Sequence, residues 1–229
     1  MQQQRSSLSV LFMLMGILFC VCLIAANLFA TKQIAIGAIS VTGGVLIFPV
    51  SYIVNDCVCE VWGYRKARLL IWTGFAMNFF FVLMGALCDI IPAAPYYENS
   101  EGFHAVFGLA PRVAAASFLA FLVGSFMNAY VMSRMKISSQ GKRFSLRAII
   151  SSLVGETIDS LIFFPLALGG IVPWEAMPQL VFWQVVLKTA YEIAVLPITI
   201  RIIRYVKKHE DTDVYDHGIS YSPWKVKNI

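Results

Sequence analysis

Apolar and polar positions alternate along the chain as six long apolar runs separated by short polar stretches. Each run holds about twenty residues, which is the length of α-helix that crosses the hydrocarbon core of a bilayer. The predicted spans cover residues 9–31, 42–62, 68–90, 112–134, 148–170 and 179–204. The pattern predicts an all-α integral membrane protein, with a six-helix transport domain at 1–208 and a polar C-terminal tail at 209–229.

Two segments lack the pattern of a membrane span. Residues 92–111 are amphipathic and rich in proline, which favours a loop with a short interfacial helix. The tail from His209 is polar and shows no helical stripe, so we expect it to be loosely ordered. The whole chain is 59% apolar and only 14% charged, which is typical of a membrane protein.

Basic residues orient the predicted bundle. They precede span 1, lie between spans 2 and 3 and between spans 4 and 5, and follow span 6, so six spans place them on one side. These residues are Arg5, Arg65, Lys66, Arg68, Arg134, Lys136, Lys142, Arg143, Arg147, Arg201, Arg204, Lys207 and Lys208. Only Lys32 and Arg112 fall on the other side. This asymmetry predicts that both termini are cytoplasmic.

The two halves of the chain show a faint resemblance to each other. Span 1 ends near Asn27 and span 4 near Asn128, while Asp56 lies in span 2 and Asp159 in span 5. Two three-helix halves would have opposite orientations, as in the inverted repeats of secondary transporters. A chance match among a few polar residues explains the same pattern, and the sequence leaves both explanations open.

Spans 5 and 6 each carry polar residues on one helical face. Span 5 has Ser152, Glu156 and Asp159 at helical spacing, and span 6 has Lys188 and Glu192 one turn apart. A lysine inside a span must pair or lose its proton. Similar depths from the span ends predict an Asp159–Lys188 pair, with Glu156–Lys188 as the alternative.

Spans 2 and 4 add further polar groups. Asp56 lies deep in span 2, whereas Glu60, near its end, is expected to be an interfacial residue. Small residues at four-residue intervals in span 4, such as Gly124, predict close helix packing that brings Asn128 inward. Ionisable residues at such depth indicate a functional site. The candidate substrate-binding residues are Asn27, Tyr52, Asn55, Asp56, Asn128, Glu156, Asp159, Lys188 and Tyr191, with Asp56 and Asp159 as candidates for coupling.

These residues predict the class of solute. The set is too mixed in sign for an ion filter, but carboxylates, amides and aromatic rings suit a planar heterocycle with many donors. The three histidines lie outside the spans, so no metal site is expected, and no phosphate-binding loop or catalytic motif is present. We therefore expect a transporter rather than an enzyme, with a bilayer and a small planar heterocyclic solute as partners and neither cofactor nor nucleic acid. A homodimer and proton coupling stay open.

Four stretches in this order resemble the queuosine precursor transporter family. They are FPVSYIVNDCVCEVWG at 48–63, RVAAASFLAFLVGSFMN at 112–128, SLVGETIDSLIFF at 152–164 and LKTAYEIAVLP at 187–197. The resemblance implies a bacterial inner-membrane importer of 7-cyano-7-deazaguanine and 7-aminomethyl-7-deazaguanine. It also implies that Asn27, Asp56, Arg112, Ser117, Asp159 and Lys188 match the family pattern. Glu156 stands where related members can have an uncharged amide.

Three alternatives to a self-sufficient proton-coupled importer stay open. Uptake could be facilitated and drawn by consumption of the solute inside the cell. The chain could instead be a vitamin-binding subunit that docks on a separate ATP-driven module through small residues of span 1, where Ala26 and Ala30 are one turn apart. It could also be a membrane enzyme or an assembly factor.

Overall fold

The chain forms a helical bundle with one small pair of strands. The computed structural model describes residues 9–30, 32–36, 39–108, 111–170, 173–175 and 177–225. Its helices are α1 (Val10–Ala30), α2 (Phe48–Ile90), α3 (Ser100–Phe107), α4 (Pro111–Ser138), α5 (Phe144–Leu168) and α6 (Met177–Glu210). Within this described part, the segments long and apolar enough to cross a membrane are Val10–Phe29, Gly43–Ile90, Ala115–Ser138 and Phe144–Ala167. The protein is therefore a multi-pass helical membrane protein.

A short pair of strands accompanies the predicted helices. β1 (Gln33–Ile36) and β2 (Ile39–Thr42) pair antiparallel between α1 and α2, and their isoleucines, valine and threonine are residue types that prefer strands. A 3-10 turn at Gly43–Leu46 follows, and α2 begins at Phe48, just before a proline that fits the first turn of a helix. The candidate membrane span that contains α2 begins at Gly43, in the 3-10 turn before the helix.

Helix α2 contains most of the predicted span 42–62 and all of the span 68–90 in one element of 43 residues. A straight helix of this length would measure about 65 Å, roughly twice the hydrocarbon thickness of a bilayer. Gly63 interrupts it with φ 82° and ψ 174°, a conformation that only glycine adopts readily. Residues 48–62 are called the first arm below, and residues 64–90 the second arm.

The first arm runs parallel to α4. Asn55 donates through Nδ2 to the Ser125 carbonyl oxygen at 3.3 Å, and Cys59 donates through Sγ to the Ala129 carbonyl oxygen at 3.4 Å. Residue numbers therefore rise together along the two elements.

The second arm runs in the opposite direction. Trp72 contacts Phe126 with ring centroids 6.0 Å apart, and Phe79 contacts Phe118 at 5.7 Å. Residue numbers rise along the second arm while they fall along α4. Since the two arms have opposite directions relative to the same helix, the break at Gly63 reverses the chain.

The remaining helices continue the alternation. Lys66 lies 5.5 Å from the centroid of the Phe12 ring, and Asn27 bonds Asn78, so α1 runs parallel to the second arm. Helix α5 returns along α4 after a turn at residues 139–143, and α6 returns along α5. The six long helical segments of the described chain, α3 aside, thus alternate in direction.

The first arm forms the centre of the bundle. Every residue from 51 to 61 is buried, as expected for a helix enclosed on all sides by other helices. Its apolar residues pack against α1, α4 and α6. Because Asp56 and Glu60 lie on this buried helix, both carboxyl groups need partners inside the protein.

The part of the predicted tail that the structure describes is ordered, contrary to the prediction of a loosely ordered segment. Residues 211–225, called the strap below, fold back onto the reversal at Gly63. The Val214 N–H donates to the Val61 carbonyl oxygen at 3.1 Å, and an Asp216 carboxylate oxygen accepts from the Tyr64 N–H at 2.8 Å. These are backbone groups that the break in the helix leaves without a helical partner. The strap therefore completes the hydrogen bonding of both arms.

Candidate functional site

Four buried carboxyl groups lie together in the interior of the bundle. Asp56 comes from the first arm, Glu156 and Asp159 from α5, and Glu192 from α6. The most exposed of them, Asp159, has a relative solvent exposure of 7%. These four residues are called the carboxyl cluster below. Each needs a cation, a proton or a ligand, because an isolated charge inside a membrane protein is costly.

Lys188 supplies the positive charge of this region. Its Nζ lies 3.3 Å from Asp159 Oδ2 and 4.1 Å from the centroid of the Phe48 ring. The predicted Asp159–Lys188 pair is therefore confirmed. Among the described residues, Lys188 is the one lysine or arginine in a salt bridge with the carboxyl cluster.

Asp56 has neutral hydrogen-bond donors instead. Asn128 donates through Nδ2 to Asp56 Oδ1 at 2.8 Å, and the Ser152 hydroxyl lies 3.5 Å from Asp56 Oδ2. The same hydroxyl donates to Glu192 Oε1 at 2.9 Å. Ser152 therefore stands between two carboxyl groups that come from different helices.

Close packing of α4 on α5 holds these groups in place. A Cβ atom on Gly124 would lie 2.7 Å from the Tyr52 hydroxyl and 2.8 Å from the Gly155 carbonyl oxygen. A Cβ atom on Gly155 would lie 2.9 Å from Asn128 Cβ. The two glycines let the helices approach closely, as the small-residue pattern of span 4 predicted, and bring Asn128 inward.

Several buried polar atoms at this site have no hydrogen-bond partner in the described protein. They are Tyr52 Oη, Asn55 Oδ1, Asn128 Oδ1, Glu156 Oε1, Ser160 Oγ and Glu192 Oε2. Leaving such a group unsatisfied costs about 1–3 kcal/mol, and more when the group is charged. Their concentration around the carboxyl cluster is the property expected of a site that binds a polar solute or a proton.

Two of the predicted site residues lie elsewhere. Asn27 donates to Asn78 Oδ1 at 2.7 Å and accepts from the Ser117 hydroxyl at 3.3 Å, so it joins α1, the second arm and α4. Tyr191 packs against the apolar cluster that contains Ile53 and Cys57. Sequence periodicity did not identify Asn78, although an asparagine in the middle of an apolar run was a signal for it.

Glu192 and Ser152 were on the predicted polar faces but outside the set of candidate site residues. In the structure the Ser152 hydroxyl connects Glu192 to Asp56. The signal was the four-residue spacing of Lys188 and Glu192, which puts the two side chains on one helical face.

Glu60 belongs to a second charged group, near the reversal at Gly63. Glu60, which was expected to lie at the membrane interface, is buried within the protein and pairs with both Arg147, at 2.5 Å, and Lys207, at 2.7 Å. Lys207 also contacts Asp213 of the strap at 2.8 Å, and Lys136 contacts the same carboxylate at 2.5 Å. Partial burial would raise the pKa of Asp213, but hydrogen bonds from these two lysines lower it below its ordinary value.

Ala26 of α1 does not offer a free docking surface in the described chain. Ala26 is buried, with a relative solvent exposure of 5%, and the side chain of Ala30 lies outside the described residues. Arg112, which the resemblance singled out, also has a side chain outside that description.

Comparisons with known proteins place the chain among transporters. The profile of the family described as "Putative vitamin uptake transporter" matches residues 42–202. The chain is 27% identical over 177 residues to the "Probable queuosine precursor transporter" of Bacillus subtilis (strain 168), with 76% of each chain covered. It is 28% identical over 147 residues to the "Queuosine precursor transporter" of Escherichia coli (strain K12), with 62% of each chain covered. No solved structure matches it significantly.

Proposed function

The chain belongs to the family described as "Putative vitamin uptake transporter", and from this premise we propose that it imports 7-deazaguanine precursors of queuosine across the bacterial inner membrane. The family is one of transporters, so the protein is not an enzyme. The names of its relatives support queuosine precursors as the cargo. The proposed cargoes are 7-cyano-7-deazaguanine and 7-aminomethyl-7-deazaguanine.

The structural observation that carries this proposal is the buried carboxyl cluster with its unpartnered acceptor oxygens. The guanine-like edge of a deazaguanine presents neighbouring N–H donors, and the two oxygens of a carboxylate can accept both. Asp159 is the proposed acceptor, with Lys188 balancing its charge at 3.3 Å. Glu156, whose Oε1 is unpartnered, would accept the cation of the aminomethyl cargo.

Neutral groups would complete the site. The Tyr52 hydroxyl, Asn55 Oδ1 and Asn128 Oδ1 are buried and unpartnered, and they can meet donors along the rim of a planar ring system. Phe48, which lies under Lys188, offers an aromatic face beside the same ion pair. The proposed site excludes Asn27 and Tyr191, because their contacts lie elsewhere.

The proposed topology has six membrane passes and two cytoplasmic termini. The six long helical segments alternate in direction, which is what six successive passes require. The basic residues then gather on one side of the membrane. Helix α6 carries Lys188 and Glu192 within its proposed pass, which lowers its apolar character.

We also propose that import is coupled to protons. The carboxyl cluster contains four acids, and Lys188 is the one cation that the described structure pairs with them. Full ionisation would leave a large negative charge in a medium of low dielectric constant, where charges are expensive. Protons taken up with the cargo would neutralise the excess.

The test is queuosine in the tRNA of a bacterial strain that lacks both precursor synthesis and its own importer. Expression of the chain with nanomolar precursor should restore queuosine. Asp159→Asn should reduce uptake roughly 10- to 100-fold, the effect of losing a charge-assisted hydrogen bond of about 1.5–3 kcal/mol. Glu175→Gln, at an exposed loop position before α6, is the control and should transport normally. Failure to restore queuosine, with the protein present in the membrane, would reject this cargo.

Reconstitution separates an autonomous transporter from a docking subunit of an ATP-driven complex. The purified chain in liposomes should move deazaguanine without ATP or another protein. The burial of Ala26 in the chain's own core favours this result, since a docking ridge needs exposed small residues. Strict dependence on an ATP-driven partner would reject the proposed mechanism and keep only the cargo.

A further inference from the structure

We infer that Asp56 and Glu192, bridged by Ser152, form the proton-carrying pair of this transporter, and that Asp159 does not carry the coupling proton. The inference rests on the proposed import of deazaguanines and assigns the coupling step to particular residues. It separates two tasks that the sequence had assigned to the same candidates. Asp159 and Lys188 serve the cargo, while Asp56 and Glu192 serve the proton.

The Ser152 hydroxyl lies between the carboxyl groups of Asp56 and Glu192. Its Oγ lies 2.9 Å from Glu192 Oε1 and 3.5 Å from Asp56 Oδ2. A hydroxyl has one hydrogen, so it can donate to only one of two carboxylates at a time. If one carboxyl carries a proton, the hydroxyl can accept from that group and donate to the other. The geometry therefore fits a pair that shares one proton.

The hydrogen-bond donors to Asp56 and Glu192 carry no charge. Asp56 accepts at Oδ1 from the amide of Asn128, which carries no charge. Glu192 Oε2 is buried and has no partner among the described groups, and Glu192 itself has a relative exposure of 2%. Two carboxylates with only neutral donors at such depth cannot both be ionised at low cost.

The neighbouring charges are engaged with other groups. On the first arm, Glu60 lies one turn beyond Asp56 and pairs with Arg147 and Lys207. On α6, Lys188 lies one turn before Glu192, and its Nζ contacts Asp159 and the Phe48 ring.

The other polar neighbours of the pair are neutral groups and one further acid. Helix α4 contributes Asn128, and the first arm contributes the unpartnered hydroxyl of Tyr52. On α5, Glu156 is buried near Glu192 and has Thr189 as a partner at 3.5 Å. Glu156 is not bridged to a second carboxyl by a hydroxyl, so a proton on it would not be shared in this way. Asp56 and Glu192 are therefore the bridged acids without a cation.

The order of residues along the first arm gives the pair a place in transport. Tyr52, Asp56 and Glu60 follow one another at intervals of one turn. The pair thus lies between Tyr52, beside the proposed cargo site, and the ion pairs near Gly63. One proton would bind a carboxylate oxygen from one side of the membrane and leave it to water on the other, with no other bond made or broken.

The experiment uses the full chain in proteoliposomes that are alkaline inside, with radiolabelled 7-cyano-7-deazaguanine as the probe. A gradient of one pH unit supports up to about a ten-fold accumulation when one proton accompanies each cargo molecule. Asp56→Asn and Glu192→Gln should each abolish accumulation, while exchange of labelled for unlabelled cargo at equal pH falls by less than about three-fold, since exchange needs no net proton transfer. Asp159→Asn should lose exchange and accumulation together. Glu175→Gln is the exposed control and should behave like the wild type.

Ser152→Ala provides a milder variant that keeps both carboxyl groups. Removal of the bridging hydroxyl should move the pH at which accumulation is half-maximal, while the cargo KM for exchange stays unchanged. An unchanged pH profile would overturn the bridge between the two acids. Normal accumulation by both Asp56→Asn and Glu192→Gln would overturn the pair.

Measurements on the wild-type protein distinguish a failure of the proposed coupling pair from a failure of the proposed function. Exchange of cargo without any response to the pH gradient would overturn the coupling pair and leave the proposed cargo standing. Absence of both exchange and accumulation would overturn the proposed function, and the inference with it. Accumulation that depends on Asp56 and Glu192 but not on Glu175 would support both the proposed function and the coupling pair.

Discussion

The carboxylate of Asp216 caps a helix that restarts at Tyr64, 152 positions earlier in the chain. Its Oδ2 accepts the Tyr64 N–H at 2.8 Å and the Ser133 hydroxyl at 2.5 Å. A negative charge at this point also interacts favourably with the dipole of the second arm. The strap is therefore part of the reversal at Gly63. A Cβ on Gly63 would lie 2.8 Å from Asp216 Oδ1, so no larger residue fits there while the strap is bound.

We predict that Asp216→Asn destabilises the protein by about 1–2 kcal/mol, because it weakens a charge-assisted bond to a helix N-terminus. The midpoint of thermal unfolding in detergent measures the loss. Asp211→Asn is the matched control, since Asp211 is exposed on the same segment and asparagine tolerates its positive φ. Equal melting temperatures for the two variants would contradict the capping role.

A second prediction concerns pH and the contact between the strap and Lys136 and Lys207. The pKa of Asp213 is lowered in the folded state, so its stabilising contribution is present above the unfolded value, about 3.9, and is lost as the pH falls through the folded value. The pKa of Lys207 is raised despite partial burial, because it bonds Asp213 and Glu60, so its contribution is lost only at strongly alkaline pH, above about 10.

Melting temperatures across the pH range test this prediction. The wild type should be more stable than Asp213→Asn at neutral pH. The difference should begin to shrink below about pH 4 and vanish once the pH lies below the lowered folded pKa of Asp213. Because the Asp213 side chain is 44% exposed, added salt should also reduce the difference. A difference that persists in acid would show that Asp213 acts through packing rather than through charge.

The third prediction concerns the glycine contact between α4 and α5. Gly155→Ala should destabilise the protein by about 1–3 kcal/mol, since the new methyl group would lie 2.9 Å from Asn128 Cβ, from the Gly124 carbonyl oxygen and from Tyr52 Cε1. The displaced Asn128 and Tyr52 should also lower cargo uptake. Gly16→Ala in α1 is the control, because its nearest contact is an ordinary 3.8 Å to Leu70. Similar melting temperatures for the two alanine variants would exclude close packing as the role of Gly155.

The sequence predicted which residues share one helical face, and it predicted one contact between residues at similar depth on neighbouring helices. Helical spacing put Glu156 with Asp159 and Lys188 with Glu192, and depth from the span ends correctly paired Asp159 with Lys188. Periodicity does not state which helices are neighbours, so the partner of Asn27 was not predicted. For this reason the sequence predicted contacts within one helix and one ion pair between helices, but not the other contacts between helices.

The strap and the burial of Glu60 could not be predicted for a different physical reason. The polar residues of the strap have the composition of a disordered tail, but they bond backbone groups that become available only because the helix breaks at Gly63. Glu60 looked interfacial because its cations, Arg147 and Lys207, come from distant parts of the chain. Neither the bonds of the strap nor the ion pairs of Glu60 can be predicted from a local sequence pattern.

The last prediction concerns the charge balance between Lys188 and Asp159. Lys188→Gln removes one partner of a buried pair and leaves the Asp159 carboxylate without its cation, which costs about 3–5 kcal/mol in comparable buried pairs. The yield of monodisperse protein and its melting temperature should therefore fall. Lys142→Gln, at an exposed position after α4, is the control and should change neither.

The double variant Asp159→Asn with Lys188→Gln tests whether the two charges act as a pair. Because it removes both, the stability lost by Lys188→Gln should largely return, as expected when two residues interact directly. Uptake should remain low, since the proposed acceptor for the cargo edge is gone. A double variant as unstable as the sum of the single variants would mean that Lys188 and Asp159 do not depend on each other. Normal uptake by a stable double variant would remove the pair from the cargo site.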